Sequence, residues 1–287
     1  MVNPEITKSK ILEFANEDAR IRAVVLNGSR ANPTIQEDAF QDFDVVFFVE
    51  NFDSFISDKS WLNYFGKPYL QQFPDEMELG SYPSEEKISY TILTVFEDGS
   101  RIDIRLFPIE KLKTKYEYDS LSVIWLDKDH IFENQIDSSD LDYHIKKPSI
   151  KEFTEVCNEF WWCCPYVSKG LKRNQIFYAK DQLETVVRPM FMRLISWKIG
   201  IDTRFSVSFG KSGKHAETYL NPQLYQHILK TYSDSDLESN WNALKLLMQL
   251  FYEEQVYCAE KLQFPANKRE AENSIEYVSK IEKFGEI

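Results

Sequence analysis

The sequence is short of positive charge. Its 34 lysines and arginines are outnumbered by 46 aspartates and glutamates, which leaves a formal net charge of −12. A general nucleic-acid binder needs a basic face to neutralise phosphates, so we do not expect a nucleic-acid partner. An acidic chain fits a soluble protein whose substrate is a cation.

Residues that build metal or disulfide frameworks are also scarce. The four cysteines form no CxxC pair, and the four histidines show neither HxxxH nor HExxH spacing. This pattern argues against a zinc hydrolase and a disulfide-stabilised domain, and it favours reduced, half-buried thiols. The cysteines are Cys157, Cys163, Cys164 and Cys258.

Long hydrophobic runs are absent as well. No stretch approaches the roughly 20 apolar residues of a transmembrane helix, and Met1 to Lys10 contains no apolar core of a secretory signal. We therefore expect a cytoplasmic protein with no membrane partner.

The residues that are present predict an α+β protein of two domains. Hydrophobic residues make up 43% of the 287 positions, which is enough for a packed core. Before residue 148, β-branched and aromatic runs predict a sheet flanked by helices; after it, helical spacing predicts an all-helical domain. The expected domains are 1–147 and 148–287. Strands are predicted over Ile21–Leu26, Asp42–Val49, Ile88–Phe96 and Arg101–Phe107.

The helical half contains two long periodic stretches and one polar tail. Gln175–Trp197 predicts a helix that Pro189 kinks, and Ser239–Phe264 predicts a second helix with apolar residues at core spacing. The polar stretch Ala266–Ile287 is expected to be loosely ordered.

The most informative motif is a Gly-Ser turn followed by paired carboxylates. Gly28-Ser29-Arg30 comes directly after a predicted strand, and Asp42 and Asp44 open the next one. Residues i and i+2 of a strand point to the same face, so the two carboxylates should converge. Such a pair suits Mg²⁺, and a Gly-Ser turn suits a phosphate. Together they predict a site for a metal-bound nucleoside triphosphate.

Asp103 is the third candidate carboxylate. It lies in the middle of a predicted strand, on the face opposite Ile102, Ile104 and Leu106. If this strand neighbours Asp42–Val49, Asp103 completes a triad that binds metal or takes a proton from an attacking hydroxyl. The alternative is an exposed hairpin residue paired with Arg101 or Arg105.

Longer stretches of the chain resemble a known family. The order of Gly-Ser turn, Asp-x-Asp and later strand carboxylate resembles the nucleotidyltransferase superfamily, which implies a nucleotidyltransferase-type mixed sheet. The wider sequence, from about Ile6 to Phe264, looks like the aminoglycoside 6-adenylyltransferases, the streptomycin-modifying family. The stretches that carry this resemblance are Leu26–Asn32, Phe40–Asp44, Asp142-Tyr143-His144, Lys147-Pro148-Ser149, Asn158–Trp161 and Ile195–Lys198.

The resemblance implies ATP as donor, Mg²⁺ as cofactor, pyrophosphate as leaving group and a hydroxyl of streptomycin as acceptor. It implies that Asp42, Asp44 and Asp103 form the catalytic metal site and that Gly28, Ser29 and Arg30 bind the nucleotide. It further implies that the helical domain supplies an aromatic residue and acidic residues to the drug, and a lysine to the triphosphate. The candidates are Trp161 or Trp162, Asp181 and Glu184, and Lys214 with Lys211 as its rival.

Two other functions stay open. One keeps the chemistry and changes the acceptor to another aminoglycoside or a cell hydroxyl; the other is a non-catalytic protein that binds a nucleotide or a partner. A monomer is expected.

Overall fold

The structure is a computed structural model that describes residues 3–79, 88–132 and 137–285. The chain divides into two compact units, Met1–Asp142 and Tyr143–Ile287, here called the N-terminal unit and the helical unit. Together they form an α+β protein, as the sequence predicts, and the boundary at 147/148 stays a prediction.

The N-terminal unit is built on a mixed six-stranded sheet with the strand order β3-β4-β5-β2-β1-β6. The central pair, β2 and β5, is parallel, and every other neighbouring pair is antiparallel. The strands are β1 (Ile21–Asn27), β2 (Phe43–Val49), β3 (Pro68–Gln72), β4 (Tyr90–Phe96), β5 (Arg101–Pro108) and β6 (Ser122–Asp127).

Both faces of this sheet are covered by apolar residues. Val45 and Phe47 of β2 belong to the larger core, together with Phe14 of the first helix, whereas Val46 and Phe48 belong to a smaller core. Alternation along the strand divides these residues between the two faces. The helices of this unit are α1 (Pro4–Glu17), α2 (Phe52–Ser57) and α3 (Leu112–Lys115).

Helix α1 begins where the sequence places a cap. The side chain of Asn3 accepts a hydrogen bond of 3.0 Å from the Glu5 N–H, and Pro4 occupies the first turn, where a missing N–H costs nothing.

The helical unit consists of seven α-helices within the described residues. Its core includes Phe160 and Phe251, whose rings stack with centroids 3.6 Å apart. The helices are α4 (Ile150–Lys172), α5 (Ile176–Gln182), α6 (Arg188–Asp202), α7 (Ala216–Tyr219), α8 (Pro222–Leu229), α9 (Leu237–Leu262) and α10 (Lys268–Lys283). Within the described ranges, no helix combines the length and apolarity needed to span a bilayer.

The irregularity expected at Pro189 lies just before it. A π-helical turn, Leu183–Val187, joins α5 to α6, and Pro189 occupies the first turn of α6. Proline cannot donate the hydrogen bond that an uninterrupted α-helix requires, and the wider π turn accommodates this loss.

The expectation of a loosely ordered tail is wrong for most of Ala266–Ile287. Helix α10 fills this stretch up to Lys283 and buries Ala271, Ser274 and Val278, and residues 286–287 lie outside the described ranges. Small residues form the buried face, so the mean polarity of the stretch hides its amphipathic pattern.

A hydrogen bond between helices explains how α10 is held. Pro165 lies inside α4 and cannot donate to the carbonyl of Trp161, four residues earlier. The Ser274 hydroxyl donates to that carbonyl at 2.7 Å, in a buried position. The carbonyl that proline leaves open is thus satisfied by the neighbouring helix.

The thiols are more buried than the sequence suggests. All four cysteines are free and buried rather than half-buried, and all lie in α4 or α9. Burial raises the pKa of Cys157 and Cys163 to about 12, so these side chains pack as neutral thiols.

Candidate active site

A row of polar side chains crosses the sheet at one end of its central strands. The parallel register pairs Asp44 of β2 with Asp103 of β5, and the antiparallel register pairs Asp44 with Asn27 of β1. Directly paired residues share a face of the sheet, so the two carboxylates lie side by side. This is the face of Val46 and Phe48, opposite the larger core.

Asn27 extends this row toward the edge of the sheet. It is paired with Ser122 of β6, whose hydroxyl donates to Asn27 Oδ1 at 2.8 Å. Sequence reasoning missed both residues. Each ends or begins a strand, and only the pairing of strands brings them beside Asp44.

Asp42 lies just before β2 and is connected to Asp103 by an arginine. Arg101 donates from Nε and Nη2 to the two oxygens of Asp103, at 3.0 and 2.8 Å, and its Nη1 lies 3.3 Å from Asp42 Oδ2. The ion pair with Arg101 that the sequence left as an alternative for Asp103 is therefore present, and it occurs together with the pairing of Asp103 beside Asp44.

The electrostatics of this group follow from burial and charge. The pKa of Asp42 is raised above its ordinary value, mainly by burial. The positive charge of Arg101 opposes this shift, and the negative charge of Asp103 adds to it. The hydrogen bonds to Asp103 raise the pKa of Arg101. The carboxylates repel one another, and Arg101 supplies positive charge among them.

The donor chemistry of the group fits Mg²⁺. Asp42, Asp44 and Asp103 offer the hard oxygen ligands that this ion prefers, and the guanidinium of Arg101 stands where a cation is needed. Within the described residues, no three carboxylate, histidine or cysteine side chains are gathered closely enough to enclose a metal ion. Arg101, not a closed ligand cage, joins the carboxylates in this conformation.

Gly28 is required by its contact with Asp44. Its φ of +74° lies in the left-handed region, and a Cβ at this position would come within 2.4 Å of Asp44 Oδ2. Any side chain would displace the carboxylate or strain the backbone. The Gly-Ser turn and the Asp-x-Asp motif therefore touch.

The turn after β1 is tied to the loop that leads to β2. Residues Gly28–Ala31 form a 3₁₀ turn, in which the Ser29 carbonyl accepts from Gln41 Nε2 at 3.3 Å. Arg30 Nη2 in turn donates to the Gln41 carbonyl at 2.6 Å. Gln41 holds the nucleotide-binding candidates in place, and no sequence signal identified it.

Arg30 borders a cavity at this end of the sheet. Its guanidinium lies over the Phe43 ring at 4.2 Å, and its buried Nε has no hydrogen-bond partner among the described residues. The cavity has a volume of about 700 Å³, and its lining includes Asn3, Thr7, Arg30, Phe40, Asp42 and Arg101.

In the helical unit, the structure separates the two tryptophan candidates. Trp161 is buried, and its Nε1 donates to Gln255 Oε1 at 2.7 Å, which ties α4 to α9. Trp162 is 63% exposed and donates to the Tyr166 hydroxyl at 2.8 Å. Of the two, Trp162 has the ring surface available for a ligand.

The acidic candidates also differ. Asp181 is exposed on α5. Glu184 pairs with Arg188 through both of its oxygens, and Arg188 is buried and donates to the Thr231 hydroxyl at 2.8 Å. Glu184 therefore has a structural role in holding α6 against the segment before α9.

Lys211 and Lys214 lie in a turn that needs left-handed backbone. Gly210, Ser212 and Gly213 have φ values of +72°, +56° and +79°, and both lysines are exposed. Among the described residues, neither lysine forms an ion pair. Their ammonium groups are available to an anion.

Comparison with known proteins identifies relatives along nearly the whole chain. A family profile described as streptomycin adenylyltransferase matches residues 3–281. An aminoglycoside 6-adenylyltransferase of Campylobacter jejuni is 39% identical over 267 residues, which cover 92% of each chain. One of Bacillus subtilis (strain 168) is 38% identical over 241 residues, which cover 84% of each chain.

A solved structure is also similar. The crystal structure of an aminoglycoside 6-adenyltransferase from Bacillus subtilis aligns with 98% of this chain and 99% of its own, at 32% sequence identity and a TM-score of 0.49.

Proposed function

The chain belongs to the streptomycin adenylyltransferase family, and from this membership we propose that it is a nucleotidyltransferase that moves AMP from ATP to a hydroxyl of streptomycin and releases pyrophosphate. The observation that carries the proposal is the register that pairs Asp44 with Asp103 on neighbouring parallel strands. This register supports a single carboxylate site that is built from two segments far apart in the sequence.

Each residue of this site has a role in the proposed reaction. Asp42 and Asp44 would hold Mg²⁺, and Asp103 would either complete its ligands or accept the proton of the attacking hydroxyl. When bound, Mg²⁺ neutralises the phosphates and the charge that develops at the transferring phosphorus. Gly28 would let the turn approach the nucleotide closely, and the Ser29 hydroxyl and the Arg30 guanidinium would bind its phosphates.

The acceptor is proposed to be a cation. The guanidinium groups of streptomycin favour carboxylates and aromatic faces, and the net charge of −12 favours a cationic ligand. Exposure supports Trp162 and Asp181 as contacts over Trp161 and Glu184. Lys214, with Lys211 as rival, is proposed to neutralise the triphosphate.

Substitution of the paired carboxylates tests the proposal. Asp42→Asn and Asp44→Asn preserve shape and remove charge, so each should lower turnover on the order of 100-fold or more because a metal ligand is lost. Pyrophosphate release with ATP and streptomycin measures this effect. Asp53→Asn, an exposed change on α2, is the matched control. Near-normal turnover in either site variant would refute the metal assignment.

The acceptor is tested separately. Wild-type protein is incubated with ATP and each of several aminoglycosides, and the product masses are measured. Adenylylated streptomycin supports the proposal, whereas modification of a different compound alone favours another acceptor. Binding of Mg-ATP without turnover on any acceptor would indicate a non-catalytic nucleotide-binding protein.

A further inference from the structure

Arg101 occupies the position of a cation in the carboxylate site. Its planar guanidinium binds both oxygens of Asp103, at 3.0 and 2.8 Å, and reaches Asp42 at 3.3 Å. This fork-to-fork contact is the strongest geometry that an arginine makes with a carboxylate. Two of the three proposed metal ligands are thus joined by a residue of the chain itself.

The guanidinium and a divalent cation cannot both hold these carboxylates in the same way. Arg101 takes one lone pair from each Asp103 oxygen and lies 3.3 Å from Asp42 Oδ2, so it occupies carboxylate oxygens that a metal ion would need. A divalent ion placed beside the guanidinium would also be repelled by its charge. Metal binding therefore competes with the Arg101 contacts.

Arg101 has the freedom to release its partners. Its side chain is 41% exposed, against 14% for Asp103. It is the first residue of β5, directly after the Glu97–Ser100 turn, and it borders the cavity of about 700 Å³ described above. Rotation of the side chain can carry the guanidinium off the carboxylates without a change in the sheet.

We propose that Arg101 is an internal counter-ion, which neutralises Asp42 and Asp103 until a divalent cation arrives with an anionic nucleotide and displaces it. The metal alone then binds weakly, because it must break the Arg101 contacts without compensation. A metal–nucleotide complex binds better, because the released guanidinium gains phosphate oxygens as new partners. This inference rests on the proposed metal role of Asp42 and Asp103.

Binding of Mn²⁺ alone, measured by electron paramagnetic resonance or calorimetry, tests the proposal without any turnover. Arg101→Met keeps the length of the side chain and removes its charge, so Mn²⁺ affinity should rise by a factor on the order of 10, the usual size of coupling between sites. Arg101→Lys keeps the charge but loses the fork, and it should give an intermediate affinity.

Arg105→Met is the matched control, since Arg105 lies four residues after Arg101 on the same strand and the same face, and its guanidinium lies over Phe107 at 5.6 Å. It should leave Mn²⁺ affinity unchanged. A second measurement adds a non-hydrolysable ATP analogue: the gain in Mn²⁺ affinity from the analogue should be larger in wild type than in Arg101→Met. Circular dichroism confirms that each variant is folded.

Two outcomes would overturn different claims. If Arg101→Met binds Mn²⁺ no better than wild type, while adding Asp103→Asn to Arg101→Met abolishes binding, the counter-ion role of Arg101 is wrong and the metal site stands. If Asp103→Asn leaves Mn²⁺ affinity unchanged, the metal assignment of the proposed function fails as well.

Discussion

Substitution of Gly28 by alanine separates the effect of backbone strain from the effect on Asp44, a proposed metal ligand. The added Cβ would lie 2.4 Å from Asp44 Oδ2, whereas real Cβ contacts essentially never fall below 3.0 Å. The carboxylate must therefore retreat by at least about 0.6 Å, or the turn must move by a similar distance.

The two consequences have different magnitudes. A residue with a Cβ at the φ of +74° costs about 1–2 kcal/mol of stability. A catalytic group displaced by roughly 1 Å costs about 100-fold in rate, or about 2.7 kcal/mol of transition-state stabilisation. Gly28→Ala should therefore stay folded and lose most of its activity.

The assay compares turnover and stability in the same preparations. Pyrophosphate release with ATP and streptomycin gives the rate, and urea titration followed by circular dichroism gives the free energy of unfolding. Gly66→Ala is the control: its φ of +138° is also strained, but the nearest atom to a new Cβ is Phe96 Cδ1 at 3.6 Å. Normal activity in Gly28→Ala, or an equal loss of activity in Gly66→Ala, would refute the reasoning.

Two further predictions concern stability of the helical unit. Because Pro165 cannot donate to the Trp161 carbonyl, Ser274→Ala leaves that carbonyl unsatisfied and should lower the free energy of unfolding by about 1–3 kcal/mol in a urea titration. Ser279→Ala, on the same helix, is the control and should change little. Equal effects of the two substitutions would contradict this account. Burial raises the pKa of Glu254, so the ionised side chain opposes folding at neutral pH. Glu254→Gln should therefore raise the urea midpoint at pH 7. This increase in stability should disappear below the ordinary carboxyl pKa, where Glu254 is protonated in both the folded and the unfolded chain. A gain that is constant with pH would show that charge is not the cause.

Local patterns were sufficient to predict the strands that form the site. A continuous apolar run identified β2, alternation identified β5, and the polar residue among the aliphatic side chains of β5 identified Asp103. The Asn3 cap of α1 was likewise predicted from neighbouring residues alone. The polar tail was misjudged because small buried residues such as Ala271 and Ser274 resemble surface residues when only their polarity is considered.

The contacts that give the site its shape could not be predicted. Trp161 and Trp162 are adjacent and of one type, yet only their positions on α4 relative to the neighbouring helices bury the first and expose the second. Likewise, nothing in the sequence shows that Gln41 connects Ser29 to Arg30, or that Arg101 joins Asp103 to Asp42.

The sequence alone was sufficient to propose Asp42, Asp44 and Asp103 as the candidate carboxylates, because spacing along an extended backbone predicts which side chains share a face. Only the tertiary structure decided that Asp103 lies beside Asp44 and that Gly28 touches it. Pairing between distant strands depends on the packing of both faces of the whole sheet, and that balance of many non-local contacts is not contained in any short segment.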